Sequence, residues 1–161
     1  MQLIHNELDL YKGFKMLVYL FNIALILLWG ILLIYRNPTK QKRKIFCIIA
    51  SIQWILVSGL RGISVGADTD NYGLIFNNVN NMTFGDIWSE FVGVYLYGQE
   101  AISGRDPGYL VFQKLIHIFI TSDYQVYLII VAIIIFASLG YFVYKNSKDA
   151  CFSFILFSCL F

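Results

Sequence analysis

The sequence predicts an all-α, polytopic transmembrane protein: three spans, a truncated fourth, and a re-entrant or interfacial helix on the outer side. Three observations carry this. The chain is 58% hydrophobic and only 14% charged over 161 residues, with a mean hydropathy of +0.67, too little charge to cover a soluble domain. Its apolar residues come in runs long enough to cross about 30 Å of hydrocarbon. Its basic residues crowd into one short stretch between the first two runs. An aromatic content of 17% suits a chain with bilayer interfaces.

The first run, residues 16–35, is broken only by Asn22 and Gly30. It is too long for the apolar part of a signal peptide, so it reads as a permanent span. Residues 36–44 carry Arg36, Lys40, Lys42, Arg43 and Lys44 and no acid. The positive-inside rule makes that loop cytoplasmic and the amino terminus external. Residues 45–60 are shorter and cross if Lys44 and Arg61 snorkel to the two interfaces. Residues 126–144 form the plainest span, and their return inward places Lys145 and Lys148 on the cytoplasmic side. Residues 150–161 open another apolar segment of about 12 residues, roughly 18 Å of helix and short of the bilayer core. On that ground residues 1–161 read as a single, incomplete transmembrane domain, the amino-terminal portion of a longer protein. Cys47, Cys151 and Cys159 lie inside apolar runs and read as small buried hydrophobes rather than disulfide or metal ligands.

Between the second and third spans lies an external segment, residues 61–125. Its polar part sets Asp68, Asp70, Asp86, Glu90, Glu100 and Asp106 against only Arg61 and Arg105. Thr83 and Asp86 stand at capping-box spacing, opening a helix over residues 83–97. Phe84, Ile87, Trp88, Phe91 and Val92 recur at helical spacing on it as one apolar stripe. The helix is expected to lie on the membrane surface, or to act as a lid over a lipid-linked substrate. Asp106 before Pro107 fits an N-cap followed by proline at the first helical position. Residues 109–121 are apolar but short for a span, hence the re-entrant or interfacial assignment. Gln113 and His117 share a face of that helix, with Lys114 beside them. His117 is either a packing residue or a proton shuttle.

Arg61 ends the second span within Gly59-Leu60-Arg61-Gly62-Ile63-Ser64-Val65-Gly66-Ala67-Asp68-Thr69-Asp70-Asn71-Tyr72. A guanidinium there can snorkel into the headgroups, or grip phosphate oxygens through its planar fork. Asp68-Thr69-Asp70 has the form of a metal-binding DxD loop. A calcium loop fails on spacing, because Tyr72 and Val79 fall where oxygen ligands are required. The outer face also lacks nucleotide sugars, so neither a metal nor a cofactor is assigned.

The order of these features resembles the EpsG family of bacterial exopolysaccharide and capsule proteins, which look like Wzy-type polysaccharide polymerases. The basic loop, Gly59-Leu60-Arg61, then Val65-Gly66-Ala67-Asp68-Thr69-Asp70-Asn71-Tyr72 carry the resemblance. So do Asp106-Pro107-Gly108-Tyr109 with Phe112 and Leu115, and the long span before Lys145. Ala67 departs from an expected threonine. The resemblance implies a multi-pass enzyme of the bacterial inner membrane that joins undecaprenyl-pyrophosphate-linked repeat units at the outer face, alone or with other polysaccharide-assembly proteins. By matching position, Arg61 and Arg105 would hold pyrophosphate. Asp68, or else His117, would activate the acceptor hydroxyl. Tyr72, Tyr109 and Asp70 would contact sugars. The competing expectations are a non-enzymatic membrane component, a flippase-like transporter of polysaccharide assembly, and an inactive fragment. No nucleic-acid partner is implied.

Overall fold

The computed structural model describes residues 17–36, 38–62, 69–98 and 106–160, and among them every regular element is a helix. These are α1 (Leu17–Tyr35), α2 (Lys40–Gly59), α3 (Thr69–Val79), α4 (Phe84–Tyr97), α5 (Pro107–Phe119), α6 (Tyr124–Asn146) and α7 (Ala150–Leu160). α1, with 19 residues, and α6, with 23, are long and apolar enough to cross a membrane. α2 has 20 residues, but its first turns carry Lys40, Lys42, Arg43 and Lys44. α7 is apolar throughout its 11 residues. The chain forms two compact units, Met1–Leu60 with Ile129–Phe161, and Arg61–Leu128.

The first unit holds α1, α2, α7 and most of α6. The basic stretch between α1 and α2 is not the loop expected over residues 36–44. The Thr39 hydroxyl accepts a hydrogen bond from the Lys42 amide at 3.2 Å and starts α2 there, so the cations ride on its first turns. Cations at a helix N-terminus oppose the helix dipole. Arg43 answers this by donating to the Val143 and Ser147 carbonyls at the end of α6, the negative end of that helix. The core packs Ile26, Phe46, Ala50, Trp54, Phe136, Val143 and Phe154. Trp54 stacks on Phe136 with ring centroids 5.4 Å apart and meets Phe157 edge-on at 5.7 Å. Close approach rests on missing side chains: a Cβ on Gly30 would strike Cys151, and one on Gly140 would strike Ser51. Small residues at helix contacts are the usual means of packing helices in lipid, where apolar burial drives nothing. Cys47 and Cys151 are buried as expected, whereas Cys159 is exposed near the end of α7 and is no core residue.

The second unit holds α3, α4, α5 and the first turn of α6. α3 occupies a stretch for which the sequence predicts no regular element. Tyr72, Ile75, Phe76 and Val79 repeat at helical spacing and face inward, the last two fully buried. The surrounding asparagines, Asn71, Asn77, Asn78, Asn80 and Asn81, hid that pattern behind turn-like composition. α4 begins where expected. The Asp86 carboxylate accepts from the Thr83 amide at 2.7 Å, and the Asp86 amide donates to the Thr83 hydroxyl at 3.2 Å. The face it buries is Ile87, Glu90 and Gly93, one step round from the expected stripe. Trp88, Phe91 and Tyr95 instead form an exposed aromatic ladder, with centroids 5.4 and 4.8 Å apart. α5 packs against both α3 and α4 around Val79, Ile87 and Leu110.

Candidate functional site

Within the second unit, three helices converge on Tyr127. Its ring stacks on Phe76 at 4.7 Å, and Tyr124 and Phe112 lie against it at 5.9 and 6.4 Å. Its hydroxyl donates to the Tyr109 hydroxyl at 2.8 Å. Tyr109 in turn meets the Tyr72 ring edge-on at 6.0 Å. Gly73 lets α3 approach this cluster, since a Cβ there would press on the Tyr124 ring at 3.3 Å. Tyr72 and Tyr109, read from the sequence as sugar contacts, therefore do meet. Tyr127, which the sequence reading placed inside a span, joins them from the first turn of α6.

Tyr109, Gln113 and His117 repeat every four residues and share one face of α5. His117 lies half-buried with its ring 5.3 Å from Phe76. Gln113 has no exposed surface, and among the described residues neither its Oε1 nor its Nε2 has a hydrogen-bond partner. Most buried amides are fully paired, so an unpaired one among aromatic rings is exceptional. Lys114, beside them, donates to the Val79 and Asn80 carbonyls at 3.2 and 2.9 Å and closes the end of α3.

Asp106 is an anchor. One of its oxygens accepts from the Gly108 amide at 2.8 Å as the N-cap of α5, and the other accepts from the Tyr95 hydroxyl at 2.9 Å. The bond to that carboxylate, and then its charge, raise the Tyr95 hydroxyl pKa above the ordinary tyrosine value. Glu90, counted from the sequence only as an external charge, is buried on the packing face of α4.

Arg61 lies one residue beyond the end of α2 and is half-buried, and its Nε has no hydrogen-bond partner among the described residues. Asp68 and Arg105 lie outside the described residues, as does the side chain of Asp70, whose backbone belongs to the first turn of α3 rather than to a loop. Among the described residues no three His, Cys, Asp or Glu side chains group as a metal site.

The family model for the EpsG family matches residues 44–161. The chain belongs to the EpsG family. At that level it is a polysaccharide polymerase-like membrane protein. The EpsG match takes in Arg61, all of the aromatic cluster and the whole of α3 to α7, and omits α1. Neither the curated proteins nor the solved structures contain a match to this chain.

Proposed function

We propose that this EpsG protein joins undecaprenyl-pyrophosphate-linked repeat units at the outer face of the bacterial inner membrane. In this reaction a hydroxyl of the acceptor unit forms a bond to the donor's anomeric carbon. The anomeric bond to the lipid pyrophosphate breaks and its electrons leave with that group. The hydroxyl proton passes to a base. The departing pyrophosphate needs cations and the hydroxyl needs the base.

One observation supports this reading above the others: Arg61 is half-buried, lies just past the apolar end of α2, and its Nε has no hydrogen-bond partner among the described residues. Guanidinium keeps its charge at any physiological pH and matches two phosphate oxygens at once. Arg61, with Arg105, holds the pyrophosphate. Asp68 activates the acceptor, with His117 as the second candidate. Tyr72 and Tyr109, with Asp70, make the sugar platform, and Tyr127 holds Tyr109 in place through the 2.8 Å hydroxyl bond.

The test is Arg61→Lys in the full-length protein. Lysine keeps the charge and loses the fork, so polymer is lost while membrane insertion stays normal and single repeat units accumulate on lipid at the outer face. Polymer of normal length in this variant overturns the phosphate role. Accumulation at the inner face indicates a flippase-like transporter instead.

A further inference from the structure

We propose that the groove between α2 and α6 binds one anionic phospholipid, with its phosphate at Lys44 and Lys145 and an acyl chain along the helices. The groove lies in the first unit and has a volume of about 280 Å³. On α2 its lining runs from Lys44 through Cys47 and Ser51 to Ile55, and on α6 it includes Ala137 and Tyr141. Those α2 positions keep helical spacing, so they form one face over about 16 Å of helix at 1.5 Å per residue. That is roughly half of a 30 Å hydrocarbon core, the depth of a single leaflet. The floor is set where Gly140 carries no side chain and Ser51 lies against it. The Ser51 hydroxyl, buried there, has no hydrogen-bond partner among the described residues.

The mouth supplies the charge. Lys44 is exposed at the basic start of α2, and the Lys145 ammonium lies 5.8 Å from the centre of the Tyr141 ring. Two other ions of this region have partners of their own. Arg43 donates to the carbonyls of Val143 and Ser147. Asp149 accepts from the Tyr35 hydroxyl at 2.8 Å and from the Phe152 amide at 3.0 Å. Lys44 and Lys145 above an apolar cleft one leaflet deep complement a phosphate ester with a hydrocarbon tail. A zwitterionic lipid gives those lysines no net charge to meet, and a polyprenyl tail is far longer than the cleft. The site is separate from Arg61, which follows the opposite end of α2, and it does not depend on the polymerase reading.

The experiment places the full-length protein in nanodiscs of mixed phosphatidylglycerol and phosphatidylcholine, delipidates it stepwise, and counts retained lipid by mass spectrometry. One phosphatidylglycerol stays bound. Lys44→Gln and Lys145→Gln each weaken its retention about fivefold. Ala137→Phe, which fills the groove with both lysines intact, also releases it. Monodisperse elution and an unchanged Tm confirm that the variants are folded. Equal retention of phosphatidylcholine overturns the site, as does full retention of phosphatidylglycerol by the double lysine variant. Release of the lipid by Arg61→Gln but not by the lysine variants overturns it too, by moving the site to the other end of α2.

Discussion

The two compact units solve opposite problems with opposite materials. In the unit of α1, α2, α6 and α7, helices touch through glycines and a stacked Trp54–Phe136 pair, and among the described residues its charges flank the start of α2 and the end of α6. In the unit of α3, α4 and α5, the centre is built from tyrosine hydroxyls, a buried amide and a histidine among rings. Tyrosine and histidine cost more to bury than valine or leucine, because each polar tip needs a partner. A region made for packing alone has no reason to use them. The first unit behaves as a fitted wall and the second as a prepared surface.

The sharpest way to break the comparison is to add atoms to the wall. In Gly140→Leu the new Cβ strikes the Ser51 side chain and closes on the Cys47 carbonyl, and the loss is expected to exceed about 3 kcal/mol. Gly85→Ala in α4 meets, among the described residues, only the Thr83 hydroxyl, at 3.5 Å, and is expected to be neutral or to gain up to about 1 kcal/mol. Thermal unfolding of the purified full-length protein compares the two. Equal effects would erase the distinction between fitted and open helix surfaces.

Next is Gln113→Leu. Removing an unpaired buried amide and keeping its volume is expected to raise stability by about 1 kcal/mol. If the second unit is a prepared surface, polymer yield falls while Tm rises. A rise in Tm with full polymer yield makes Gln113 a plain packing defect. Tyr127→Phe is smaller. It deletes the bond to Tyr109 and is expected to cost about 1 kcal/mol, read from the same unfolding curves.

Much of this was legible in the sequence, for uneven reasons. Caps depend on two or three neighbouring residues, so Thr83 with Asp86 and Asp106 with Pro107 could be read directly. α3 could not, because five asparagines outweighed four apolar positions that gain meaning only once α5 packs against them. Tyr127 lay in an apolar run, where a hydroxyl carries no local signal of its partner on another helix. The α4 stripe misled because an apolar face marks either packing or exposure at an interface. Here Trp88 remains 66% exposed while Glu90 is buried. Composition ranks side chains by hydrophobicity, and the chosen face follows from which neighbour is present.

The smallest expected effect concerns pH, and it separates the units by where their charges sit. The Asp86 carboxylate is held below its ordinary pKa first by the Thr83 amide and then by the Thr83 hydroxyl. A carboxyl whose folded pKa is depressed contributes its stability above the unfolded value near 4, and loses it as pH falls through the folded value. Start-of-helix protection in α4 is therefore expected to stay constant from pH 7 to pH 5 and to fade below about pH 4. Hydrogen exchange at the first amides of α4 measures this directly. Asp86→Asn keeps a cap of similar shape but has no proton to gain, so its exchange, corrected for the intrinsic pH effect, should lose that acid-side change. An acid-side change of the same size in Asp86→Asn would place the titrating group elsewhere. Because Asp86 is fully exposed, added salt should shrink the effect, whereas the Trp54–Phe136 packing of the other unit, which carries no charge, should respond to neither salt nor acid.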